Sequence, residues 1–137
     1  MVFIDTGAFL ARYLKQDAFH VTAVATWKKI TGAPLFTTNH VLSETLTLLG
    51  RRAGCGFAAD RGANIYASQA IEILRSSNED EIAAIQLLRK FADQNVSFTD
   101  CISFVLMKRF HIPAAFTFDR HFLRAGFKMI GIDGDQA

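Results

Sequence analysis

After Met1 the chain opens on three consecutive apolar residues, Val2-Phe3-Ile4, which run straight into Asp5-Thr6-Gly7. A strand solvated on one face alternates apolar and polar side chains. An unbroken apolar run suits a strand buried on both faces, as in a parallel sheet covered by helices. Leu35-Phe36-Thr37-Thr38, Ala70 to Leu74, Ala114 to Phe118 and Phe127 to Ile130 read as further short strands. Helix-compatible segments separate them. They are GAFLARYL, a stretch through Val24, Trp27 and Ile30 that Asp17 is placed to cap, and Val41 to Arg52 with Asn39 as its cap and Gly54 beyond its end. Three more follow: Phe57 to Ser68, a helix through Ile82, Ile85, Leu88 and Phe91 announced by Ser76-Ser77-Asn78, and CISFVLMKRF opened by Ser97-Phe98-Thr99-Asp100. Strands alternating with helices predict an α/β fold with helices on both faces of a mainly parallel sheet.

At 137 residues, half of them apolar and 13 of them Phe, the chain has enough material for one well-buried core. Pro34 and Pro113 are the only prolines, and no repeat or Ser/Gly-rich linker interrupts the pattern, so residues 1–137 are expected to form a single domain. Cys55 and Cys101 are isolated and suggest neither a disulfide framework nor a zinc site. The first residues lack a signal-peptide pattern. The densest later apolar run, CISFVLM, is far short of the roughly 20 residues that span a bilayer. A reduced, cytoplasmic protein without a membrane span is the expectation.

In open parallel sheets, ligands bind beyond the carboxyl ends of the strands. Asp5 directly follows the first strand and Asp119 directly follows the strand containing Phe116. Glu44 lies in the opening turns of the helix after Thr37-Thr38, on the margin of its buried stripe. Asp100 opens a helix that is apolar almost all round, which predicts a buried helix with a rigidly held N-terminus. These placements converge four acids on one rim. Carboxylates about 5 Å apart repel by roughly 3 kcal/mol per pair at an effective dielectric near 20, so a convergent set calls for a cation. All-oxygen donors without clustered Cys or His favour Mg²⁺ or Mn²⁺, the ions that serve phosphodiester hydrolysis.

Each acid also has a local explanation. Ser97-x-x-Asp100 fits a capping box, Asp119 can cap a turn, Glu44 can be a solvated helix residue, and Asp5 can be a turn residue. Arg120 and His121 adjoin the predicted site and are candidates for substrate contact. The four His show no metal-ligand spacing along the chain. The net charge of +2 is modest, but setting the four acids aside leaves nine acids against fifteen bases, a cationic body suited to a nucleic-acid partner.

At these residues the chain resembles PIN-domain ribonucleases, and more narrowly the VapC-type toxins of toxin–antitoxin pairs. The matching pieces are VFIDTGAFLARYL, TTNHVLSETLTLL, SFTDCISFVLMKR and AFTFDRHFLRAGF, in the family's order and across nearly the whole chain. The resemblance implies an α/β/α sandwich, dependence on Mg²⁺ or Mn²⁺, and cleavage of RNA. It makes Asp5 and Asp100 direct metal ligands, brings in Glu44 directly or through water, and completes the pocket with Asp119. Thr6 and Thr117 match small polar positions that order the pocket. A homodimer and a cognate antitoxin are further implications of kinship. The alternatives are a PIN nuclease of RNA processing and a catalytically silent PIN-like domain that binds RNA or a partner. A haloacid-dehalogenase-type phosphatase is disfavoured because Gly7 stands where that chemistry wants a second acid.

Overall fold

A computed structural model of the chain describes residues 1–131. Five strands form one sheet: β1 (Val2–Ile4), β2 (Leu35–Thr38), β3 (Ile71–Leu74), β4 (Ala114–Phe116) and β5 (Lys128–Ile130). Their order is β3-β2-β1-β4-β5, and every pairing is parallel. The chain steps outward from β1 through β2 to β3, then returns to the far side of β1 for β4. Strand order therefore reverses between β1 and β4, at the centre of the sheet.

The connections are helical. Helices α1 (Thr6–Tyr13) and α2 (His20–Ile30) link β1 to β2, and α3 (Asn39–Ala53) and α4 (Cys55–Ala67) link β2 to β3. Helices α5 (Asn78–Lys90) and α6 (Phe98–Arg109) return the chain to β4, and α7 (His121–Arg124) leads to β5. Right-handed crossovers put helices of the outward steps on one face and those of the return on the other. Packing agrees. Phe116 meets Trp27 of α2 edge-on at 5.6 Å, whereas Phe3 faces Phe122 of α7 at 6.4 Å and Phe122 meets Phe104 of α6 at 4.9 Å. Phe3, Ile4, Ala115 and Phe116 are fully buried, as strands covered on both faces require.

The three-layer α/β/α architecture and all five expected strands are present, and the sheet is parallel throughout. Helix α4 runs unbroken through Gly62, where a Cβ would fall 2.9 Å from Cδ1 of Leu46; the missing side chain lets α3 and α4 approach closely. Two local expectations need correction. Thr38, not Asn39, caps α3: the last residue of β2 is still extended, and its hydroxyl accepts from the Val41 N–H at 3.0 Å. Asp17 accepts from the Phe19 N–H, so it caps the turn before α2, which starts only at His20. On α5, Ile82 and Ile85 are half exposed; Ala84 is buried, and Leu87, Leu88 and Phe91 make the contact with the core.

Candidate active site

The site lies at the carboxyl end of the sheet, where strand order reverses. The register pairs Ile4 with Phe116, so the next residue on each strand, Asp5 and Thr117, also stand side by side. Both are buried, and the Thr117 hydroxyl donates to Asp5 Oδ2 at 2.8 Å across 112 residues of sequence. The same hydroxyl accepts from the Asp119 N–H at 3.0 Å. One side chain thus orients a carboxylate on β1 and the turn that carries the acid after β4. On the other flank, the Thr37 hydroxyl donates to the Ile4 carbonyl at 2.9 Å and ties β2 to the end of β1.

Asp100 arrives from a helix. Because α6 leads into β4, it runs back along the sheet and begins at the carboxyl edge, although a helix rather than a strand precedes it. Its start is fixed by a reciprocal cap: the Asp100 N–H donates to Ser97 Oγ at 3.0 Å, and the Ser97 N–H donates to Asp100 Oδ2 at 3.1 Å. Cys101, Ile102, Phe104, Leu106 and Met107 bury the rest of the helix and hold that start in place. Glu44, half-buried in α3, completes a cleft of about 370 Å³ lined by Asp5, Thr6, Gly7, Glu44, Ser97, Asp100, Phe118 and Asp119. A larger groove of about 760 Å³, walled by Leu87, Phe91, Phe104 and Phe127, lies away from the acids. Donor chemistry, not volume, distinguishes the smaller cleft.

All four predicted acids therefore share one cavity. No Lys or Arg is among the described residues that line it. Burial, then the charge of Asp100 and to a lesser degree that of Asp119, raise the Asp5 pKa to about 7 against the hydrogen bonds from Thr117 and Thr6. Burial also pushes the Asp100 carboxyl up, with Asp119 and Glu44 adding to it and the bonds to Ser97 opposing it. Negative charge is thus concentrated where solvation is poor, and the helix N-termini at Asp5 and Asp100 only partly offset it. A hard divalent cation fits this oxygen-rich donor set.

The local readings of Asp119 and Asp100 hold as geometry: Asp119 Oδ1 accepts from the His121 N–H at 2.9 Å, and Asp100 closes its capping box. Neither role removes the carboxylate from the cleft. Thr6 is buried there with its hydroxyl unpartnered among the described residues, so Thr117 supplies the hydrogen-bonded order of the pocket. Arg120 is exposed just outside. His121 turns back onto Asp119, its Nδ1 2.7 Å from Oδ1, a close contact outside hydrogen-bonding geometry. One donor atom each from Asp100, Asp119 and His121 lie within 4.8 Å of one another. The chain spacing of the His residues hid this; the signal was the position of His121, two residues after Asp119.

Residues 2–128 match the PIN domain family. The chain belongs to the PIN-domain family. Among its PIN relatives it is 36% identical over 127 residues to the 23S rRNA-specific endonuclease VapC20 of Mycobacterium tuberculosis, with 93% of this chain and 95% of that protein covered. It is 32% identical over 113 residues to a VapC ribonuclease of Archaeoglobus fulgidus, covering 75% of this chain and 67% of that one. The crystal structure of VapC20, a toxin that cleaves the sarcin-ricin loop, superposes with a TM-score of 0.87 at 34% identity, over 93% of this chain and 96% of that one. The acidic cleft described above therefore stands in a PIN fold of the VapC type.

Proposed function

We propose that the chain, residues 1–137 acting as one domain, is a Mg²⁺- or Mn²⁺-dependent endoribonuclease and the toxin of a VapBC-type pair. The observation that carries this reading is the convergence of Asp5, Glu44, Asp100 and Asp119 in one cleft, with no Lys or Arg among the described residues that line it. Asp5 and Asp100 would hold the ion directly, Glu44 directly or through water, and Asp119 would close the acidic wall. What the cation supplies when bound is activation of water and neutralisation of charge at the attacked phosphorus and the leaving oxygen.

The chain's own groups do the positioning. Thr117 holds the Asp5 carboxylate and the Asp119 turn in a fixed relation. The starts of α1 and α6 border the cleft, and the positive end of a helix dipole favours a phosphate. Outside the cleft the excess of Lys and Arg draws the strand in. The relatives that cut 23S rRNA support a structured ribosomal RNA loop as the substrate class. Kinship with VapC toxins supports a cognate antitoxin, a homodimer and a cytoplasmic location. Among the described residues, no helix is long and apolar enough to cross a membrane.

The test is incubation of purified protein with intact ribosomes and with total RNA in Mg²⁺ or Mn²⁺, followed by mapping of new RNA ends. A discrete cut in a 23S rRNA loop is expected. Absence of any cleavage would contradict the enzymatic reading, and cuts confined to messenger or transfer RNA would contradict the substrate class.

A further inference from the structure

Phe118 has one function in the core and another surface at the cleft. Its ring lines the cavity that holds the four acids. It is seated tightly: Phe116 meets it edge-on at 5.9 Å, and Cβ atoms added at Gly7 and Gly131 would fall 3.8 and 3.4 Å from its ring. Gly131 has φ +121, a backbone conformation that side chains resist, so this seat is built around glycine. On Phe118 lies a second ring. Phe19 stacks on it with centroids 4.4 Å apart and planes inclined by 8°.

Phe19 is not a core residue. It is 44% exposed, and it sits in the turn before α2 rather than within a packed helix face. The turn is nevertheless fixed, because the Phe19 N–H donates to Asp17 Oδ1 at 2.8 Å and its carbonyl accepts from the Ala23 N–H at 2.8 Å. A half-exposed aromatic ring, held parallel to a second ring on the wall of an acidic cleft, is arranged to continue a stack.

We propose that Phe19 and Phe118 form a nucleobase-stacking platform that seats an unpaired base of the RNA beside the acidic cleft. The inference rests on the nuclease reading above and adds a subsite to it. A base that leaves its own helix in an RNA loop loses stacking, and aromatic faces restore it. Seating that base ties its ribose and phosphate to a fixed place beside Asp5 and Asp100. Phe carries no hydrogen-bonding group on its ring, so the platform takes the π-face of any base and leaves sequence choice to other contacts.

The experiment uses full-length protein and a synthetic RNA hairpin with a single-stranded loop. Binding is measured to the Asp5→Asn protein carrying Phe19, Phe19→Trp or Phe19→Leu, and cleavage kinetics to the same series on the Asp5 background. Stacking predicts that Leu weakens binding and raises KM by about 5- to 50-fold with little change in kcat, while Trp binds as well as Phe or better. A hairpin with an abasic site at the seated nucleotide should bind the Phe and Leu proteins alike. If Leu binds and cleaves like Phe, the platform is wrong and the nuclease reading stands. If the Asp5 protein fails to cleave, the nuclease reading falls, and the binding series still decides the platform. Circular dichroism melts of each variant separate loss of stacking from loss of fold.

Discussion

The Thr117 hydroxyl donates to the buried Asp5 carboxylate at 2.8 Å while accepting from the Asp119 backbone at 3.0 Å, so one side chain sets the relation between two walls of the cleft. Groups that orient a metal ligand through a hydrogen bond typically matter 10- to 100-fold in metal affinity or activity. Thr117→Val keeps the volume and removes both bonds. It is expected to weaken Mn²⁺ binding and RNA cleavage by about 10- to 100-fold. Thr117→Ser, which retains the hydroxyl, should stay within a few-fold of wild type. Calorimetric titration with Mn²⁺ checks both.

The raised pKa of Asp5 makes the cation-free protein sensitive to pH. An ordinary Asp releases its proton near 3.8, and folded Asp5 releases it near 7. Between those values the folded state holds a proton that the unfolded state has lost. The stability tied to that proton is complete below about pH 4 and drains away as pH rises toward 7. Asp100, also raised, acts in the same direction. Thermal melts without divalent cation should therefore fall from pH 4 toward pH 7, and Asp5→Asn should flatten that decline. Saturating Mg²⁺ should raise Tm most at the upper end of the range, because a bound cation replaces the competing proton.

Much of this arrangement was legible in the chain, for reasons that differ by residue. Val2-Phe3-Ile4 announced a doubly buried strand because both of its faces are covered. Asp5 and Asp119 were visible as the acids that end two such runs, and Asp100 stood out against a helix with no polar face. Glu44 was harder, since its place on the margin of α3 is a matter of degrees of helical rotation. What escaped was everything that depends on register or on contact between distant segments. Ala114 to Phe118 read as one strand, but the ladder stops at Phe116, and Thr117 and Phe118 turn into the site. The Thr117–Asp5 bond, the His121–Asp119 contact and the Phe19–Phe118 stack follow from strand pairing and turn geometry, which composition does not encode. Ile82 and Ile85, half exposed on α5, make a related point: apolar spacing marks a stripe, but only packing shows which part of it is covered.

Away from the site, Asp80 braces the return layer. Its carboxylate caps the Ser77 N–H at 2.9 Å and accepts from Arg109 of α6 at 2.9 Å, with the Asp80 side chain only 6% exposed. Burial pushes this carboxyl up, but the bonds from Ser77 and Arg109 outweigh it and hold the pKa below the usual carboxylate range. Its contribution is therefore present above about pH 4 and lost as pH falls below that, opposite to Asp5. Asp80→Ala removes a helix cap and a charged bond, at an expected cost of about 2–4 kcal/mol and on the order of 10 °C in Tm. Cleavage measured well below that Tm should be unchanged.

In the proposed mechanism the acids of the cleft act through a divalent cation to cut RNA. Cleavage of one RNA substrate by wild type in Mg²⁺ or Mn²⁺, by wild type in EDTA, and by Asp5→Asn, Asp100→Asn and Asp119→Asn in Mg²⁺ tests it most directly. Wild type is expected to cut with the ion and not in EDTA. Asp5→Asn and Asp100→Asn should lose at least about 100-fold, and Asp119→Asn less, because its Oδ1 is already engaged by His121. Equal cutting with the ion, in EDTA and after Asp5→Asn would contradict the mechanism.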